Sequence, residues 1–173
     1  MVTASEKETK IEIIQDGGIT SPQGFTAGGV HTGIRRDWTK LDVGLAYSEA
    51  PCTTAAVYTS NTLKAAPLLL TKEHLKNRQA QAIVANAGCA NAATGTQGAE
   101  NAVVMAKLAA DRLGIEPSDV VVASTGVIGT QLPMDRIARG VAETKLTGDG
   151  GDDFAVSIMT TDTVKKQIAV KFS

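Results

Sequence analysis

Residues 82–126, AIVANAGCANAATGTQGAENAVVMAKLAADRLGIEPSDVVVASTG, change their apolar spacing along their length. AIVAN is short, apolar and β-branched, as a buried strand requires. AGCANAATGTQG follows as a loop of almost only small residues. In AENAVVMAKLAADRLG, Ala99, Ala102, Val103, Ala106, Ala109, Ala110 and Leu113 recur at three and four and predict a helix with a wide apolar face. Thr94 and Gln97 fit the S/T-x-x-Q capping box at its start, and Gly114 is the expected residue past its end. SDVVVAS then predicts a second strand.

Working outward, helices and strands alternate on both sides. PMDRIARGVAETKL predicts an amphipathic helix with Met134, Ile137, Ala138 and Val141 inward, opened by Pro133. IEIIQ, LDVGLAYSE (Leu41, Val43, Leu45 and Tyr47 on one face) and TTAAVYTS read as strands. LLLTKEHLKN reads as strand passing into helix, and AVSIM as either. KKQIAVKFS ends the chain as a strand, with Ile168, Val170 and Phe172 alternating and no partner for its edge. DGGITSPQGFTAGGVHTGIRRD reads as turns around short extended pieces. The mixture places the fold in the α/β (α+β) class, with residues 1–173 as a single domain.

Composition narrows the function. The 173 residues carry 17 basic and 18 acidic side chains, a formal net charge of −1 that gives no reason to expect nucleic acid or an anionic membrane as partner. One Trp, two Tyr and three Phe leave few platforms for stacking on bases. Cys52 and Cys89 belong to no CxxC pair and read as reduced thiols of a cytoplasmic protein. The polar start MVTASEKETK has no secretory h-region and is expected to fray. No run has the length of a membrane span.

Taken singly, the small-residue stretches each have a plain reading. Asp149, Asp152 and Asp153 lack the spacing of a calcium loop. His31 and His74 have no partner four residues on, so no metal site is expected. TAGGVHTG looks like a phosphate cradle but matches no such motif. In ASTGVIGTQLPMD, Thr125 and Gly126 fall where a strand gives way to a loop. Their N–H groups can face an oxyanion or can merely turn the chain, and the turn is the simpler reading. NAGCANAATG alone is a tight turn packed on a helix, and SIMTTDT alone a satisfied hydrogen-bonding turn.

In order, however, AIVANAGCANAATG, STGVIGTQLPMD and IMTTDTVKKQIAV resemble the ornithine acetyltransferase (glutamate N-acetyltransferase) family of the cyclic arginine pathway. SPQGFTAGGVHTGIR and TSNTLKAAP extend the resemblance from about Gly17 to Val170. Ala87 and Cys89 depart from it, standing where Ser and Asn are expected.

The resemblance implies a layered α/β/β/α sandwich similar to amino-terminal-nucleophile hydrolases, with this chain as the α chain, ending before the cleavage junction of a self-cleaving precursor. It implies a β chain carrying a threonine nucleophile, and an α2β2 heterotetramer. The implied reaction moves acetyl from N-acetylornithine to glutamate through an acetyl-threonine, without cofactor or metal. Acetyl-CoA is a second donor in bifunctional members. Thr125 and Gly126 match the family's oxyanion hole. Thr160 matches a substrate-contacting position, with Thr161 as the alternative one register on. A β-aminopeptidase-like hydrolase and a non-enzymatic α/β binding subunit are the competing classes.

Overall fold

The computed structural model describes residues 10–37 and 39–173. The polar start, apart from Lys10, and Trp38 in the basic stretch IRRDWTK lie outside them. Strands β2 (Phe25–Val30), β3 (Val43–Thr53), β4 (Gln79–Cys89) and β5 (Val120–Val127) form a mixed sheet in the order β2-β3-β4-β5. The first three are antiparallel neighbours, and β4 and β5 are parallel. Parallel strands need a long crossover, which helix α2 (Gly95–Leu113) supplies.

One face of the sheet carries the core. Val43 and Leu45 of β3, Val84 of β4 and Val120 and Val122 of β5 pack against α2 and against helix α3 (Met134–Glu143). Helix α1 (Ala66–His74) closes the outer side of β5. Thr71 Oγ donates to the Val122 carbonyl at 2.9 Å and accepts its N–H at 3.0 Å, while His74 Nδ1 lies 2.8 Å from the Val120 carbonyl oxygen. Side chains of α1 thus stand in for a missing fifth strand over residues 120–122, which protects a sheet edge that would otherwise be open.

The other face holds Ala27, Ala46 and Ala85 under Phe154 of α4 (Gly151–Ser157). That short helix lies directly on backbone. A Cβ on Gly29 would sit 2.5 Å from the Asp153 carbonyl oxygen, and one on Gly44 would sit 2.1 Å from Ser157 Oγ. In TAGGVHTG, Gly29 is therefore part of the floor for a helix, and Gly28 is closed off by the Lys145 carbonyl oxygen, 2.0 Å from where its Cβ would sit.

Several sequence expectations change. The strand pairing of β4 and β5 runs through NAGC and STG, so residues read as loop are strand ends. TTAAVYTS contributes only Thr53 to β3, and Val57 beyond it is 99% exposed. LLLTKEHLKN is helical from its start, and AVSIM lies largely in α4. In α2 most of the expected face is buried, at Ala102, Ala106, Ala109 and Ala110, but Met105 joins it while Val103 is 53% exposed and Ala99 is exposed. The capping box does not form, because Thr94 Oγ donates to Asn91 Oδ1 at 2.7 Å and Gln97 Nε2 to Asn101 Oδ1. Gly114 does close the helix, its N–H donating to the Ala110 carbonyl at 2.9 Å. The last strand, β6 (Ala169–Phe172), is not unpartnered; it pairs antiparallel with β1 (Ile11–Ile14) in a separate two-stranded ribbon.

Candidate active site

Thr125 and Gly126 lie near the end of β5, beside Ala87 and Gly88 of β4. Two backbones approach closely here. Gly126 has φ of +129°, and a Cβ on it would meet the Gly88 carbonyl carbon at 2.4 Å and the Cys89 nitrogen at 2.7 Å. Only glycine fits both the conformation and the space.

The alternation of a strand then orients the donors. Val122 turns its N–H and C=O outward to Thr71, and the Val127 carbonyl turns back to accept from Ala90 N–H at 2.9 Å. Even-numbered residues of β5 therefore face the outer edge, so the N–H of Gly126 points to that edge, past the residues that α1 covers. A backbone donor aimed out of an exposed strand end is the arrangement an oxyanion requires.

Thr125 and Gly126 open onto a cavity of about 940 Å³, also lined by Arg35, Cys89, Thr130, Arg136, Thr160 and Thr161. The three positions singled out in the sequence, Thr125, Gly126 and Thr160, meet in this one space, and both register choices for the last line it. The Thr160 turn is locally braced: its N–H donates to Asp162 Oδ2 at 3.3 Å. The bonded Lys166 ammonium, and then that N–H, hold the Asp162 carboxyl below the ordinary carboxylate range. The brace is complete above that range and lost as pH falls through the lowered value.

Sequence reasoning passed over the residues that frame this cavity. Asp42 is fully buried at the start of β3, and its carboxylate accepts from the N–H groups of Thr32 (2.7 Å), Gly33 (3.0 Å) and Arg35 (3.1 Å) and from Thr32 Oγ (3.0 Å). One carboxylate thus orders the whole HTGIR loop. Arg136 and Arg139 of α3 reach the same loop, donating to the carbonyls of Gly33 and Thr32. The visible signal was an aspartate opening an apolar strand, which a buried charge would have to justify by hydrogen bonds.

Cys89 and Cys52 are both free thiols. Cys89 lines the cavity, and its Sγ donates to the Thr130 carbonyl at 3.0 Å. A hydroxyl preserves that bond, so Cys89→Ser is expected to keep turnover within a few fold. A dead Ser variant with an unchanged thermal melt would make the thiol catalytic. Among the described residues no group of three or more His, Cys, Asp or Glu gathers to hold a metal, and no helix is long and apolar enough to cross a membrane.

Comparison with known proteins matches the sequence and the fold of the chain. The chain is 48% identical over 172 residues to the arginine biosynthesis bifunctional protein ArgJ of Oceanobacillus iheyensis, covering 99% of this chain and 41% of that protein. It therefore spans about two fifths of the length of that relative. A crystal structure of the arginine biosynthesis bifunctional protein from Bacillus halodurans superposes with a TM-score of 0.91 at 39% identity, covering 96% of this chain and 87% of that one. The ornithine acetyltransferase of Mycobacterium tuberculosis, solved with ornithine, gives a TM-score of 0.85 at 34% identity over 95% of this chain and 94% of that one. The ArgJ family model matches residues 26–173. A family match over most of the chain, with fold and sequence agreeing, makes this chain a member of the ArgJ family.

Proposed function

We propose that the protein containing this chain transfers acetyl from N-acetylornithine to glutamate in arginine biosynthesis, with residues 1–173 as a single α-chain domain. The observation that carries the reading is the meeting of Thr125, Gly126 and Thr160 around one cavity at an exposed strand end. A β chain from the same precursor supplies the threonine nucleophile and the second sheet and helix layers of the sandwich, in an α2β2 assembly. Support for a divided precursor comes from the coverage: this chain covers 94% of the solved M. tuberculosis chain but 41% of the full-length O. iheyensis relative.

In the first half-reaction the threonine Oγ attacks the acetyl carbonyl and the C–N bond to ornithine breaks, the amine leaving with a proton. In the second the glutamate amine takes the acetyl group. Both halves pass through a tetrahedral oxyanion, which the Gly126 N–H and the Thr125 hydroxyl stabilise. The nucleophile's own amine moves the protons, so the reaction calls for no metal or cofactor, and acetyl-CoA enters only as an alternative donor. The enzyme acts in the cytoplasm on small molecules, without nucleic acid or membrane.

The test is acetyl transfer by the complete protein from labelled N-acetylornithine. Equal amounts of ornithine and labelled N-acetylglutamate are expected, with an acetylated threonine trapped when glutamate is omitted. Release of free acetate with glutamate present and no transfer would overturn the reading in favour of a hydrolase.

A further inference from the structure

We infer that Arg35 is a positioning residue that holds the Thr160 segment against the Thr125–Gly126 strand end. The inference deepens the proposed function, since it rests on Thr160 contacting substrate.

Arg35 is fixed at three points. Its backbone N–H donates to Asp42 Oδ2 at 3.1 Å. Its stem passes over Gly88, where an added Cβ would meet Arg35 Cγ at 3.1 Å, and Gly88 is the register partner of Gly126. Its guanidinium then spans to the other wall of the cavity, with Nη1 donating to the Met159 carbonyl at 2.7 Å and Nη2 to the Thr160 carbonyl at 3.3 Å. A planar fork that reaches two successive carbonyls fixes the orientation of both peptide units. Because a trans peptide sets N–H opposite C=O, drawing both carbonyls toward Arg35 turns the N–H groups of Thr160 and Thr161 the other way. The Thr160 N–H does run to Asp162 and not to Arg35. The guanidinium is thus engaged by main chain, so its role is to set the distance between the donors at Thr125–Gly126 and the Thr160 side chain.

This placement predicts which kinetic constant moves. Thr160 binds substrate before any charge develops, so loosening it weakens binding more than it slows the chemical step. In the complete protein, Arg35→Met is expected to raise KM for N-acetylornithine about tenfold, as loss of uniform binding does, with kcat within a few fold. Arg35→Lys keeps the charge but loses the two-carbonyl fork, and is expected to recover only part of the loss. In a Thr160→Ala background Arg35→Met adds no further rise, because the two act as one unit. Amide hydrogen exchange over residues 158–163 is expected to rise in Arg35→Met and less in Arg35→Lys. Additive effects of the two substitutions, or unchanged exchange over 158–163, would overturn the inference. If the wild-type protein transferred no acetyl, the exchange measurement would still decide Arg35, and only the proposed function would fall.

Discussion

Gly126→Val is expected to remove activity and to lower the melting temperature of the complete protein. The added Cβ would lie 2.4 Å from the Gly88 carbonyl carbon and 2.7 Å from the Gly88 carbonyl oxygen. Those neighbours are backbone of the adjoining strand, so no side chain can swing away. A β-branched residue at φ of +129° adds about 1–3 kcal/mol of conformational strain to a similar penalty for crowding. The sum is a large share of the margin of an ordinary domain. Relief can come only by parting the ends of β4 and β5, which displaces the Gly126 N–H from the cavity. Gly129→Ala is the control: φ there is +79°, but an added Cβ meets nothing within 4 Å. It is expected to cost about 1 kcal/mol and to leave turnover nearly intact. A Gly126→Val protein that melted and turned over like wild type would remove the basis for the close strand approach.

Thr125→Ala is expected to act on chemistry alone. Thr125 is half-buried on the side of β5 that also carries Val121 and Ala123, opposite the core side chains Val120 and Val122. Its loss should leave the melt within the range of ordinary surface substitutions, about 0.5 kcal/mol. On the proposed reading its hydroxyl, lining the same cavity as Gly126, donates to an oxygen that becomes charged only in the transition state. Removing such a donor costs about a hundredfold or more in turnover, roughly 3 kcal/mol, and leaves substrate affinity nearly unchanged.

Much of this arrangement was legible in the residues. The strands AIVAN and DVVVA, helix α2 and helix α3 follow from periodicity, because burial on one face repeats at the spacing of the element. Gly114 and Pro133 mark boundaries because their backbone restrictions are local. The ends of β4 and β5 were not legible. NAGC and STG carry the glycines and small polar residues of turns, and only the parallel pairing of the two strands, with α2 between them, extends both past their apolar runs. The border of the α2 face was less legible for a related reason: Val103 fits the apolar stripe, yet Met105 is the residue that fills the core against the sheet.

The candidate site divides the same way. Thr125, Gly126 and Thr160 came from the family resemblance, since neither spacing nor composition distinguishes them from turn residues. Arg35 and Asp42 went unnoticed because their roles appear only in the folded contacts, distant in sequence for Arg35 and within one loop for Asp42. Arg35 reaches carbonyls at Met159 and Thr160, and Asp42 folds the preceding loop back on itself. A buried carboxylate accepting several backbone N–H groups is invisible in sequence until the loop closes around it.

The central claim is that the Thr125–Gly126 strand end stabilises the oxyanion of acetyl transfer. It is tested most directly by single-turnover release of ornithine from N-acetylornithine, comparing wild-type and Thr125→Ala complete protein at saturating donor. The account predicts release about a hundredfold slower in the variant, with the Kd for N-acetylornithine and the melting temperature unchanged. Release at the wild-type rate, or a loss appearing wholly in Kd, would contradict it.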